Sequence, residues 1–109
     1  MTLMDRQYKT FREFYPFYLS QHMNRVCRTL HFIGSWAALA MLAAAIATGN
    51  AWWLVGIPLA GYGFAWVGHF FFEHNRPATF AYPAYSLLGD WLMFYQLLNG
   101  RISFTGSAR

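Results

Sequence analysis

Two long apolar runs dominate the pattern of hydrophobic and polar positions along this chain. Residues 30–48 and residues 51–72 each contain no Asp, Glu, Lys or Arg. Each run has the length of about 20 residues that a membrane-spanning helix requires. Only the dipeptide Gly49-Asn50 separates them. We therefore predict an antiparallel transmembrane hairpin, with helices near residues 28–48 and 51–73.

Two further segments flank this hairpin. A third apolar run covers residues 80–98 but contains Pro83 near its start and Asp90 near its middle. It fits either a third helix packed against the hairpin or a re-entrant segment. Residues 8–23 mix aromatic and charged side chains, which predicts an interfacial amphipathic helix, broken or bent near Pro16. The predicted fold class is all-α, an integral membrane helical bundle.

The composition also favours a membrane protein. Of the 109 residues, 57% are hydrophobic and only 11% are charged. A soluble domain of this size cannot hide so much apolar surface, because it buries only about 60–65% of what its unfolded chain exposes. The single cysteine, Cys27, excludes an internal disulfide and a zinc site built from several cysteines. We expect the whole chain, residues 1–109, to form a single membrane-embedded domain.

The positive charge of the chain lies mostly before the first apolar run. The formal net charge is +4, and five of the eight basic residues precede that run: Arg6, Lys9, Arg12, Arg25 and Arg28. Basic residues at membrane ends place the N-terminal arm and the loop at residues 73–77 in the cytoplasm. We expect a protein of the bacterial inner membrane that contacts lipids and binds no nucleic acid.

The four histidines lie near the predicted cytoplasmic ends of the hairpin, at His22, His31, His69 and His74. At 1.5 Å per residue, His31 and His69 would lie about 4–5 Å inside the membrane, at one level on adjacent helices. His22 can join them only if the helix is broken between it and His31, for example at Asn24. Neutral imidazole is a common ligand of iron, copper and zinc, so this placement predicts a metal site near the cytoplasmic face.

Two neighbours of His69 are candidate companions in that site. Glu73 follows by four residues and shares its helical face, either as a metal ligand or as the acceptor that fixes the tautomer of His69. His74 follows by five residues, about 140° around the helix, and joins only if the helix unwinds before Pro77.

Four charged residues are candidates for binding an amphiphilic substrate. Arg25, Arg28 and Arg76 lie at the same membrane face, where arginine binds either lipid phosphate or a substrate carboxylate. Asp90 is a costly carboxyl group within an apolar run, which indicates either a functional role or a structural one. In the structural role it would pair with Arg76 or accept a hydrogen bond from Tyr62, Tyr85 or a tryptophan.

Two sequence blocks resemble a known family. These are FREFYPFYLSQHMNRVCRTLHFIGSW at residues 11–36 and GYGFAWVGHFFFEHNRPATFAYPAYSLLGDWLMF at residues 61–94. They are similar to the small membrane-protein family that includes the fungal protein named for metabolism of phytosphingosine to odd-numbered fatty acids. The resemblance implies an iron(II)-dependent dioxygenase, which uses O₂ to convert a 2-hydroxy fatty acid to the fatty acid one carbon shorter.

The resemblance also implies a set of site residues. The histidine motifs of the family fall on His22, His31 and His69, which would be catalytic and bind Fe(II). Glu73 lies in the segment HFFFEHNRP, and His74 ranks lowest among the metal ligands. The implied partners are a 2-hydroxy fatty acid, O₂ and membrane lipids, and the sequence also allows an oligomer.

Two other functions compete with this interpretation. A haem protein with His31 and His69 as axial ligands would show a Soret band. A small transporter or assembly factor, in which Asp90 and Glu73 handle protons or contact a partner, would hold no stoichiometric metal. Metal analysis combined with a visible spectrum separates the three.

Overall fold

Helices account for the regular secondary structure in the computed structural model, which describes residues 8–104 and has no β-strand within them. The four α-helices are α1 (Phe11–Ser20), α2 (Arg25–Thr48), α3 (Trp53–Val67) and α4 (Pro83–Leu98). Helix α3 continues into a π-helical segment, Gly68–Glu73, and a 3₁₀ turn, Ala78–Phe80, precedes α4. The all-α prediction is confirmed. Arg6 and Arg109 lie outside the described residues.

Side-chain and glycine signals set the two ends of α2. The Asn24 side chain accepts hydrogen bonds from the backbone N–H groups of Val26 and Cys27, which satisfies donors that a helix start leaves unpaired. At the other end Gly49 adopts the left-handed conformation with φ of 71°. Glycine takes this conformation without the steric penalty that a Cβ atom imposes. The helix break predicted at Asn24 is therefore present.

Helices α2 and α3 lie side by side and run in opposite directions. Their ends meet where a Cβ atom on Gly68 would lie 3.0 Å from the Sγ of Cys27. Their middles meet where a Cβ on Gly34 would lie 3.2 Å from the Cβ of Phe64. Small residues at these positions let the two backbones approach closely, as in packed membrane helices.

The outer surfaces of this helix pair are strongly apolar. Helix α2 and the segment Trp53–Glu73 are long and apolar enough to cross a membrane, and only 17% of the most apolar stretch of each is buried within the protein. The core helix of a soluble protein would be mostly buried. Trp52 is 78% exposed and Phe71 is 68% exposed, and exposed apolar area on this scale marks contact with lipid or another apolar partner.

Helix α1 lacks the break that the sequence allowed at Pro16. It is continuous through Pro16, which lies on the exposed side, where water can bind the carbonyl group that proline leaves without a partner. Its apolar side is also covered by protein, because Phe14 and Tyr18 are fully buried against residues of α4 that include Met93 and Leu97. The apolar face that the sequence assigned to the headgroup region therefore contributes to the core.

Helix α4 and the chain after it return to α2. The ring of Phe94 packs 5.2 Å from Phe32 and 5.4 Å from Trp36, measured between ring centroids. Beyond α4, Phe104 packs 5.1 Å from Phe32. The third apolar run thus packs against α2, and the last described residues lie near the start of that helix.

Candidate metal centre

Three buried histidines meet at the end of the helix pair where α2 begins and α3 ends. His22 lies in the short link between α1 and α2, His31 lies in α2, and His69 lies in the π-helical segment. Their ring centroids are 4.4–5.0 Å apart, and each pair of rings is nearly perpendicular. One ring nitrogen from each lies within 4.8 Å of the others.

Hydrogen bonds fix the tautomer of each imidazole. The Nδ1 of His22 lies 2.6 Å from the carbonyl oxygen of Tyr18, and the Nδ1 of His31 lies 2.8 Å from that of Cys27. A carbonyl oxygen only accepts, so both Nδ1 atoms carry the proton and donate. The Nδ1 of His69 lies 2.7 Å from the Oδ1 of Asn75. In all three rings the Nε2 atom therefore carries a free lone pair.

These Nε2 atoms fit a metal ion. The Nε2 of His22 is buried and has no hydrogen-bond partner within the described residues. Burial lowers the pKa of His22 well below its ordinary value, and repulsion from His31 and His69 lowers it further. His22 is therefore neutral near pH 7, the form that binds a metal. Three imidazole nitrogens suit Fe(II), Cu(II) or Zn(II), so the cluster fits the predicted iron without selecting it.

The π-helical segment sets the geometry around His69. It ends at His74, which has a left-handed backbone with φ of 61°. The backbone N–H groups of His74 and Asn75 both donate to the carbonyl oxygen of His69. This turn folds Asn75 back toward the imidazole that precedes it by six residues.

Asn75 is the site residue that sequence reasoning missed. Its side-chain Nδ2 donates to the backbone oxygen and the side-chain oxygen of Gln21, each at 3.1 Å. Those two bonds orient the amide so that its Oδ1 faces His69 and accepts from Nδ1. The only sequence signal is a turn-forming asparagine just before the Arg76-Pro77 pair, where a helix is expected to end.

Glu73 and His74 lie outside the histidine cluster. The Oε2 of Glu73 accepts a hydrogen bond from the backbone N–H of Asn24, so this carboxylate caps the start of α2. His74 is exposed. The position beside the Nδ1 of His69, which the sequence assigned to Glu73, belongs to Asn75. The Glu73 carboxylate is bonded to Asn24, and the left-handed turn at His74 brings Asn75 back to the imidazole.

The structure separates Arg28 from the other two candidate arginines. Arg28 is only 3% exposed. Its Nε donates to the carbonyl oxygen of His22, and its Nη1 donates to that of Ser103 at 2.6 Å. Arg25 and Arg76 are exposed. Arg28 therefore holds the backbone beside the histidine cluster.

Replacing Arg28 by alanine should lower the free energy of unfolding by about 2–4 kcal/mol, because two carbonyl groups lose their donor. Arg25→Ala, three residues earlier on the same helix, should change it by no more than about 0.5 kcal/mol, since Arg25 is exposed. Unfolding of both variants in detergent, followed by circular dichroism, measures the difference. Equal stability of the two variants would show that the Arg28 contacts contribute nothing.

A cavity of about 170 Å³ opens beside the cluster, between α2, α3 and α4. His31 and Asp90 both line it. The Tyr18 hydroxyl donates a hydrogen bond to the Oδ1 of Asp90, so the tyrosine partner lies in α1 and is neither of the predicted residues, Tyr62 and Tyr85. Burial raises the pKa of Asp90 to about 7. Near neutral pH this carboxyl group can therefore donate or accept a hydrogen bond inside the cavity.

Comparison with known proteins gives one family. The model of the family described as "2-hydroxy-palmitic acid dioxygenase Mpo1-like" matches residues 8–102, which include all three histidines of the cluster and Asn75. No curated protein and no solved structure matched the chain.

Proposed function

Because this chain belongs to the Mpo1-like family, we propose that it is a membrane-embedded, iron(II)-dependent dioxygenase that shortens 2-hydroxy fatty acids by one carbon. Membership confirms the family resemblance found in the sequence, and the family description indicates a function related to that of a dioxygenase. The observation that carries the proposal is the cluster of three buried histidines, each of which has a ring nitrogen within 4.8 Å of the others.

In this proposal His22, His31 and His69 hold the iron. Iron(II) bound by three histidines keeps coordination positions open and supplies the O₂-dependent oxidative chemistry of the reaction. The carbonyl oxygens of Tyr18 and Cys27 and the amide oxygen of Asn75 keep each imidazole in the tautomer that presents Nε2. Such partners orient ligands before the metal arrives.

Asp90 is the residue we assign to the polar head of the substrate. It lines the cavity together with His31, while its Oδ1 accepts from Tyr18. A 2-hydroxy acid has a hydroxyl and a carboxyl group on adjacent carbons, and Asp90 can form a hydrogen bond with either. Because its partner Tyr18 also stacks on the ring of His22, with centroids 4.0 Å apart, Asp90 would bind the head next to the iron.

Arg25 and Arg76 are assigned to the membrane surface. Both are exposed, near the ends of the helix pair at which the histidines lie. In the proposed orientation this end faces the cytoplasm of a bacterial inner membrane, where the arginines bind lipid phosphate or the carboxylate of an entering fatty acid. The contact between Arg28 and Ser103 puts Ser103 at that same end of the helix pair.

The cluster geometry argues against the haem alternative. The rings of His31 and His69 lie 5.0 Å apart, and the ring of His22 lies 4.6 Å from one and 4.4 Å from the other. A macrocycle between two axial ligands would have to occupy the place of this third imidazole. The arrangement suits a single ion.

The deciding experiment combines metal analysis with turnover. Protein purified without oxygen should contain one iron per chain and show no Soret band. With 2-hydroxypalmitic acid it should release the fatty acid one carbon shorter only when O₂ is added. A Soret band would replace the proposal with the haem protein, and the absence of both stoichiometric metal and turnover would favour the transporter or assembly factor.

A further inference from the structure

The cavity beside His31 is lined by one face of α3. The lining residues from this helix are Ile57, Pro58, Gly61, Tyr62 and Ala65, which follow the spacing of a single helical face. Gly61 lies at the centre of that face, and a Cβ atom on it would have no neighbour within 4 Å. The empty space in front of Gly61 is therefore the middle of the cavity.

The cavity has the shape and polarity of a site for an amphiphile. Along α2 its lining extends from His31 to Ala38, which is about 10 Å at 1.5 Å per residue. His31 and Asp90 provide a polar end next to the histidine cluster. The rest of the wall is mainly apolar and includes Leu87. A ligand with a polar head and a linear apolar tail matches this arrangement.

We propose that this cavity holds the part of the substrate's alkyl chain next to the head and that the absence of a side chain at Gly61 lets a long chain pass. The inference rests on the proposed function for the identity of the head group. Lipid tails are as apolar as the cavity wall, so transfer of the chain from the bilayer into the cavity brings little hydrophobic gain. Selection at Gly61 is therefore steric: a side chain there blocks the tail of a ligand whose head has reached His31.

Gly63 provides a matched control on the same helix. It lies on another face of α3, in an outer groove with Leu59, Ala60, Phe64, Val67 and Leu30 of α2. A Cβ atom on Gly63 also has no neighbour within 4 Å. Gly61→Leu and Gly63→Leu introduce the same side chain and change the helix propensity by the same amount. Only Gly61→Leu fills the cavity.

The test compares 2-hydroxy acids of four and sixteen carbons on the two variants, because a four-carbon chain ends before it reaches Gly61. Gly61→Leu should lower kcat/KM for the long substrate about tenfold or more relative to the short one, the scale of an overpacked site. Gly63→Leu should leave the ratio of long to short within about twofold, and both variants should keep their iron. An unchanged ratio in Gly61→Leu, or equal changes in the two variants, would overturn the inference.

A second measurement is independent of turnover. Palmitic acid with a photoreactive diazirine at mid-chain should label cavity residues such as Leu87 and Trp91 in the unmodified protein and in Gly63→Leu, but not in Gly61→Leu. If the probe labelled the cavity in this pattern but no 2-hydroxy acid was turned over, the proposed function would be refuted. The proposal that the cavity binds an alkyl chain would be supported. If the protein turned over 2-hydroxy acids but the probe labelled residues outside the cavity, only the proposed role of the cavity would be refuted. A phospholipid that permanently fills the cavity would have the same consequence.

Discussion

Replacing His69 by alanine is expected to abolish iron binding and turnover while the chain stays folded. The imidazole supplies one of only three clustered ring nitrogens. Loss of a residue that merely orients a ligand already costs about 10–100-fold in metal affinity, so loss of the ligand itself should cost more than about 100-fold. Iron content and circular dichroism of the purified variant, compared with metal-free unmodified protein, measure both parts of the prediction.

His74→Asn is the control for this experiment. It removes the imidazole five residues further along, and asparagine tolerates the left-handed backbone found at this position. Because His74 is exposed and outside the cluster, this variant should keep its iron. If His69→Ala kept its full iron content, the metal site would have to lie elsewhere in the protein. If His74→Asn lost its iron, His74 would be a metal ligand.

The second large effect is expected at Asn75. Asn75→Ala removes the acceptor for the Nδ1–H of His69, and iron affinity should fall about 10–100-fold. Asn75→Asp should not restore it, although a carboxylate also accepts from Nδ1. The new oxygen would face two oxygens of Gln21 that now receive a donor from Asn75. Titration of the metal-free variants with iron measures the affinities.

The imidazole ¹⁵N shifts of His69 test the reason for this effect without using the metal. In metal-free protein they should show a proton on Nδ1, and in Asn75→Ala they should show a mixture of the two tautomers. Gln21→Ala keeps the Oδ1 of Asn75 as the acceptor, and the backbone oxygen of residue 21 still binds the Asn75 amide. The tautomer of His69 should therefore stay close to that in the unmodified protein. If Asn75→Ala kept both its tautomer and its affinity, Asn75 would have no role in orienting His69.

The composition of the cluster follows from simple sequence arithmetic. The rise per residue predicts that His31 and His69 lie at one level of adjacent helices, and the structure places their ring centroids 5.0 Å apart. His22 joins them because Asn24 starts a new helix, a role to which asparagine is well suited. The spacing of residues along a helix and the capping preference of asparagine depend on neighbouring residues only, so both can be derived from a single sequence.

The arrangement around His69 could not be derived in this way. Sequence reasoning assumed 100° per residue through Glu73, whereas residues 68–73 form a π-helix. Such segments are rare, and no propensity in the residues GHFFFE indicates one. The turn at His74 that follows this segment brings Asn75 to His69, while the Glu73 carboxylate is bonded to the backbone N–H of Asn24.

Arg28 shows a second limit. Near the start of an apolar run, arginine is normally assigned to lipid headgroups or to a charged ligand. Its main partners are the carbonyl oxygens of His22 and Ser103, and the second is 75 residues away along the chain. Backbone carbonyl groups occur at every position, so the sequence contains no signal for this pairing.

On the proposed function, the Nε2 of His22, which has no hydrogen-bond partner among residues 8–104, would make the stability of the folded chain depend on the iron supply. Without a cation, three lone pairs face one another in a buried site, and an unsatisfied buried nitrogen costs about 1–3 kcal/mol. An ion that binds only the folded chain adds about 4 kcal/mol of stability when its free concentration is 1,000 times Kd. On the proposed function, iron starvation would expose newly made chains to proteolysis, so the amount of enzyme would fall together with its activity.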